Sequence, residues 1–227
     1  VYFKLKIMEF KSVNKIFEES FKKNWLRPAI SNYQGETLHF RDLARRIEKL
    51  HIMFEECGLQ KGDKVAICSR NQANWAVVFL ATTTYGAVPV PLLHEFKSSN
   101  IHHLVNHSEA KVLFVDEVIW EGLSETEMPE IHAIIQVNTF KVLYAVDQNI
   151  YDAKVHLNEL FGKRYPEAFE PHMINYYEDS PEELAIINYT SGTSGFSKGV
   201  MIPYRAIWSN LVFAQKVLPQ LCSTSKV

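Results

Sequence analysis

The residues best suited to chemistry stand together at positions 189–200, which read Y-T-S-G-T-S-G-F-S-K-G-V. Three of the nine glycines fall within residues 192–199, interleaved with hydroxyls from Thr190, Ser191, Thr193, Ser194 and Ser197 and joined by one lysine, Lys198. Glycine has no Cβ, so successive amides can turn inward and let an oxygen-rich ligand approach the backbone closely. The hydroxyls add donors, and the lysine adds a positive charge with three more. This composition suits an anion, and phosphate is the guest it fits best. A flexible Ser/Gly linker would share the composition, but strong apolar segments press on both sides of this stretch. Spacing argues against a Walker A loop. Counted from Gly192, Ser197 stands where G-x-x-x-x-G-K-[ST] needs its second glycine, and Gly199 stands where it needs Ser or Thr.

The flanks must position this loop. Leu184-Ala185-Ile186-Ile187-Asn188-Tyr189 reads as a buried strand, and residues 206–218 read as a helix opened by Pro203. The predicted series is therefore strand, glycine-rich turn, helix. Near the start, Val13, Ile16, Phe17 and Phe21 recur at helical spacing with charges between them. This is the pattern of a terminal helix docked on its own domain, and a membrane-surface helix would share it. Residues 38–43 open a longer helix carrying Leu43, Ile47, Leu50 and Phe54, with Gly58 placed for a left-handed C-terminal cap. A strand at 65–68, a helix at 74–85, an extended piece at 88–91, a helix at 99–107 and a strand at 112–115 follow. After a short helix, a strand at 133–137 completes the series. Regular β-α alternation with strands apolar throughout predicts an α/β fold, a parallel sheet covered on both faces. Residues 138–180 read as a loop-rich connection, and Asp179-Ser180-Pro181-Glu182-Glu183 as a turn or helix start.

Composition narrows the class. The chain is 47% hydrophobic and 22% charged, enough to bury a core, and its formal charge of −2 leaves no electrostatic footprint for nucleic acid. Cys57, Cys68 and Cys222 are odd in number and lack metal-ligand spacing, so they read as reduced thiols in a cytoplasmic protein. Met8 reads as a natural start with residues 1–7 as an upstream extension, and no signal-peptide pattern precedes it. Residues 71–94 carry no Asp, Glu, Lys or Arg, yet three threonines, Gly86, Pro89 and Pro91 break them, so no transmembrane span is expected. His103 and His107 are four apart, beside His102, but Leu104 stands where H-E-x-x-H needs glutamate, and a solvated helix face is expected. Neither G-x-G-x-x-G nor G-x-S-x-G occurs.

The stretch at 189–200 resembles the signature loop of the adenylate-forming superfamily: acyl- and aryl-CoA synthetases, nonribosomal peptide adenylation domains and firefly luciferase. That pattern is roughly Y-T-S-G-[ST]-T-G-x-P-K-G-V. The chain departs at Ser194, where threonine is usual, and at Ser197, where proline is usual; neither change removes a hydroxyl or the lysine. Residues 38–43, 58–67, 71–75 and 85–90 match further superfamily motifs in order and spacing. Asn71 with Trp75 is similar to the N-x-P-E-W of fatty acyl-CoA synthetases, with Ala73 and Asn74 replacing Pro and Glu. These upstream motifs read as structural.

The resemblance implies the N-terminal part of an adenylate-forming large domain, with stacked, mostly parallel sheets and helices on both faces. Residues 1–36 would form an extension and docking helix, 37–180 an α/β subdomain, and 181–227 the strand, loop and helix that begin the next. It implies a two-step reaction in which a carboxylic acid, expected to be a fatty acid, attacks the α-phosphorus of MgATP to give an acyl-adenylate and pyrophosphate. A thiol, usually that of coenzyme A, then displaces AMP. ATP, Mg2+ and coenzyme A are the implied cofactors, and peripheral membrane contact is compatible with such a substrate. By the same resemblance, Thr190, Ser191, Gly192, Thr193, Ser194, Gly195 and Lys198 surround the β- and γ-phosphates. The adenine and magnesium motif, the ribose-binding aspartate, the hinge and the C-terminal domain with its adenylation lysine are not among the 227 residues. The chain alone is therefore expected to be inactive. Two alternatives remain at this point: an adenylation domain that loads a carrier protein, and a non-catalytic module that binds nucleotide or a partner.

Overall fold

Ser12 starts the first helix, α1 (Val13–Lys23), by accepting a hydrogen bond from the Lys15 amide. The structure, a computed structural model, describes residues 9–190 and 198–217. Val13 and Phe21 of α1 are buried, and the Phe21 ring meets Phe40 and Tyr176 edge-on at 5.3 and 6.0 Å. The apolar face of α1 is thus spent within its own domain. A distant residue completes the helix start. Asp179 accepts from the Ser12 hydroxyl at 2.6 Å and from the Val13 and Asn14 amides at 3.0 and 2.8 Å, placing a carboxylate at the positive end of the helix.

An antiparallel pair, β1 (Pro28–Ser31) and β2 (Thr37–His39), follows. Leu38 is therefore a strand residue, and the long helix α2 (Phe40–Glu56) opens two residues later, where the Asp42 carboxylate accepts from the His39 amide at 3.0 Å. Its Leu43, Ile47, Leu50 and Phe54 are all buried, as their spacing predicts, and Gly58 adopts the left-handed conformation (φ +70°) expected of the residue that ends it.

The alternating series is present: β3 (Lys64–Cys68), α3 (Ala73–Tyr85), β4 (Val88–Leu92), α4 (Ser98–His107), β5 (Ala110–Val115), α5 (Glu117–Trp120) and β6 (Ala133–Gln136). The sheet order is β4-β3-β5-β6-β7, and the first four strands are parallel. Its edge strand, β7 (Val142–Ala145), is antiparallel and lies in the stretch that reads as loop-rich. That expectation is corrected further by α6 (Gln148–Val155), α7 (Leu157–Arg164) and a 3-10 turn at Pro171–Met173. Each helix buries only two side chains, Ile150 and Ala153 in α6 and Leu157 and Phe161 in α7. Such short elements carry too few apolar repeats to announce a period.

Why the strands are apolar throughout is now visible. Val65, Ile67, Val112 and Phe114 share one core with α2, α3, α6 and α7. Ala66, Cys68, Leu113 and Val115 share another with Ile101, Leu104 and Val105 of α4 and with Ile187 and Tyr189. With both faces covered, the strand interiors are apolar, and the polar exceptions stand near strand ends: half-buried Lys64 and Lys111, and Gln136, whose amide donates to the Glu117 carboxylate at 3.1 Å. Fully burying a side chain such as Phe54 or Phe114 contributes about 1.5–3 kcal/mol.

The last described elements are β8 (Leu184–Thr190), β9 (Lys198–Pro203) and α8 (Tyr204–Val217), with β8 and β9 paired antiparallel. The predicted strand–turn–helix series is corrected in that a second strand intervenes; Pro203 closes that strand, and the helix opens at the next residue. Cys57 and Cys68 are buried free thiols, and burial pushes both up to about 12, which leaves them unreactive; Cys222 lies outside the described residues. Among the described residues, no helix is long and apolar enough to cross a membrane.

Candidate functional site

The β8–β9 hairpin sets the geometry of the candidate phosphate loop. Along β8, Ala185, Ile187 and Tyr189 point inward and are buried, while Asn188 and Thr190 are exposed. The register pairs Asn188 with Val200, Tyr189 with Gly199 and Thr190 with Lys198. Thr190 and Lys198 therefore face each other across the last rung, both exposed, at the two feet of the connection formed by residues 191–197. Ser191, Gly192, Thr193, Ser194 and Gly195 lie outside the described residues. Of the seven nominated side chains, the structure brings together these two.

Gly199 owes its identity to a close approach. A Cβ there would stand 3.2 Å from both Ile187 Cγ2 and Tyr189 Cε1, tighter than ordinary van der Waals contact. Its lack of a side chain lets β9 lie flat against the aromatic ring that precedes the loop.

The hairpin is tied down at both ends of β8. At the loop end, the Tyr189 hydroxyl lies 2.6 Å from His107 Nδ1 at the close of α4. Burial pushes the phenol upward, so the hydroxyl keeps its proton in this contact. At the other end, the Glu183 carboxylate accepts from Lys61 at 3.0 Å and from the Tyr177 hydroxyl at 2.8 Å, and the Lys61 ammonium sits 4.6 Å above the Tyr177 ring. Lys61 and His107 precede β3 and β5, so β8 lies along the amino-terminal margin of the parallel strands. Sequence reasoning missed His107 and Glu183, because neither contact has a local spacing that could signal it. His103 and His107 are exposed, as expected of a solvated helix face, although His107 also reaches Tyr189; the half-buried His102 accepts at Nε2 from the Ser124 amide at 3.0 Å.

A cavity of about 440 Å3 opens under the hairpin, between Ile187, Tyr189, Gly199 and Met201 on one side and Lys64 and Val88 on the other. Neither Thr190 nor Lys198 lines it, so the exposed rung and the cavity are separate features. Chemically, the rung offers a hydroxyl-bearing residue and a lysine on opposing strands at the mouth of a loop rich in glycine and hydroxyls. That arrangement can surround an anion from two sides.

A family model described as AMP-binding enzyme matches residues 17–225. Surfactin synthase subunit 1 of Bacillus subtilis is 26% identical over 204 residues, covering 89% of this chain and 5% of its own length. Fatty acyl-CoA synthetase A of Dictyostelium discoideum is 26% identical over 181 residues, covering 78% of this chain and 26% of its own length. This chain thus spans about a quarter or less of those two relatives. Among solved structures, the Klebsiella oxytoca NpsA N-terminal subdomain in complex with 3-hydroxybenzoyl-AMSN superposes with a TM-score of 0.63 at 22% identity, covering 91% of this chain and 44% of that one. The last likeness shows a shared fold.

Proposed function

The chain belongs to the AMP-binding enzyme family of the adenylate-forming superfamily, and from that premise we propose that its parent protein activates a carboxylic acid with ATP and passes the acyl group to a thiol. In the first step a carboxylate oxygen attacks the α-phosphorus, an acyl–phosphate bond forms, and pyrophosphate leaves with the electrons of the broken P–O bond. In the second, a thiolate sulfur attacks the acyl carbon and AMP leaves. Phosphoryl transfer of this kind rests on positioning and charge neutralisation. Thr190, Ser191, Gly192, Thr193, Ser194, Gly195 and Lys198 supply both for the departing pyrophosphate.

The observation that carries this reading is the rung that sets Thr190 opposite Lys198 at the mouth of the loop. Magnesium would accompany the ATP phosphates and supply charge neutralisation there, beside Lys198. Among the described residues no group of three or more His, Cys, Asp or Glu side chains converges to hold a metal ion. A fatty acid as substrate and coenzyme A as acceptor are supported by the likeness to fatty acyl-CoA synthetase A. The likeness to surfactin synthase subunit 1 favours a second reading, transfer to the thiol of a carrier protein.

The test is acid-dependent exchange of labelled pyrophosphate into ATP. We expect exchange from the product of the full reading frame, none from the 227 residues alone, and ATP binding by the 227 residues that Lys198→Ala weakens about tenfold to a hundredfold, the range of one charge-assisted hydrogen bond. ATP affinity untouched by Lys198→Ala would remove the loop from the proposal. Failure of every carboxylic acid tested on the full product would remove the activity.

A further inference from the structure

At the end of the sheet opposite the hairpin lies a polar cavity of about 600 Å3. It opens beyond the carboxyl ends of β3 and β6, where open α/β sheets place their ligands. Its walls come from four helices, α2, α3, α6 and α7, and from turns, and three cations line it: Arg46 and Lys49 from α2 and Lys154 from α6. One carboxylate, Glu36, lines it as well, and Arg46 already holds that group, its Nη2 donating to both carboxylate oxygens at 2.9 and 3.1 Å.

The two lysines are differently placed. Lys49 donates to the Asn158 amide oxygen at 2.6 Å, and Lys154 reaches the Thr139 carbonyl at 3.4 Å. Both are partners of neutral groups, and among the described residues no carboxylate lies within ion-pairing range of either ammonium. Burial, with the neighbouring charges of Arg45, Lys154 and Arg46, holds Lys49 below the usual lysine range; burial alone does the same for Lys154. Two half-buried like charges facing one cavity destabilise the chain unless an anion joins them. Around them stand polar side chains, among them Asn32, Gln72 and Asn138, that suit hydroxyl groups. The Asn74 side chain is fixed by three contacts: it accepts from Arg46 at 2.8 Å and donates to the Val137 and Asn138 carbonyls at 3.1 and 2.9 Å. The wall is therefore built in advance rather than assembled by a ligand.

We propose that this cavity binds a small phosphate monoester carrying hydroxyl groups, with Lys49 and Lys154 on the phosphate and the amide-lined wall on the hydroxyls. The site is distinct from the candidate ATP loop and does not depend on the function proposed for it. Glucose 6-phosphate, inorganic phosphate and glucose are the probes, titrated calorimetrically into the 227-residue chain carrying Lys198→Ala, so that the hairpin loop does not contribute.

Saturable binding of glucose 6-phosphate is expected, with weaker binding of phosphate and none of glucose. Lys49→Gln with Lys154→Gln should weaken it about tenfold or more, the scale of one or two charge-assisted contacts. Because the pair removes a repulsion, its melting temperature should be unchanged or higher. Should the pair fail to fold, Lys154→Gln alone is expected to give a partial loss. Equal affinity in the paired variant, binding of glucose as tight as that of its phosphate, or no binding of either phosphate would overturn the site.

Discussion

His51 and Glu48 lie one turn apart on α2, 8% and 5% exposed, and burial acts on them in opposite senses. It pushes His51 down to about 4, an effect the hydrogen bond to the Ala81 carbonyl at 3.0 Å only partly offsets, so the ring is neutral at pH 7 and donates from Nε2. It raises Glu48, against the Tyr165 hydroxyl that donates to its carboxyl oxygen at 2.6 Å. The 3.8 Å gap between His51 Nδ1 and Glu48 Oε2 is therefore not an ion pair. The signs follow. Above pH 6.5 folded and unfolded His51 are both neutral; as pH falls towards about 4 only the unfolded chain gains the proton, and roughly 3 kcal/mol of stability is lost across that window. Glu48 does the reverse, because its folded form holds a proton above pH 4.5 that the unfolded chain releases, so its contribution fades as pH rises. Urea unfolding between pH 7 and pH 4 should show His51→Gln with a flatter acid limb than the parent, and Glu48→Gln should be more stable than the parent at pH 7. An acid limb of equal steepness in His51→Gln would place the titration elsewhere.

At the scale of elements, Asp179 is the joint that fastens α1. Asp179→Ala leaves three donors at the start of the helix without their acceptor, and a cost of about 2 kcal/mol is expected. Chemical denaturation reads the cost, and faster amide exchange at Val13 and Asn14 locates it. Unchanged stability with unchanged exchange would mean that apolar packing alone holds the helix. The elements legible in the sequence were those with an unbroken apolar run or a sustained 3.6 period: β3, β5, β6 and β8 among strands, α1, α2, α3 and α4 among helices. β9 escaped because Lys198 and Gly199 read as loop and because its Val200 and Met201 are 46% and 67% exposed, giving no buried alternation. β7 escaped as a half-exposed edge strand of four residues. The phosphate loop was legible because its chemistry is contiguous. The cavity at the other end of the sheet was not, since Arg46, Lys49, Lys154 and Asn158 meet only after α2, α6 and α7 have packed.

At the scale of the molecule, protection should follow the layering. Val65–Cys68 and Val112–Val115 are covered on both faces, whereas α8 buries only Tyr204 and Trp208 of its fourteen residues. Native-state hydrogen exchange should be slowest in β3 and β5 and fastest, among the helices, in α8. Exchange in α8 as slow as in β3 would show that the helix unfolds only with the whole core.

The contact of α1 with Asp179 also sets an order of events during synthesis. Ser12 and Asp179 are 167 positions apart, and Asn14 Nδ2 reaches the Tyr204 hydroxyl across 190. At about 5–20 residues per second, a ribosome needs on the order of ten to thirty seconds to make the residues between Ser12 and Asp179. For that interval the helix has emerged while its anchor has not, and Phe21 stands unpaired from Tyr176. α1 is made well before the residues that anchor it, and until they emerge its apolar stripe is open to a chaperone.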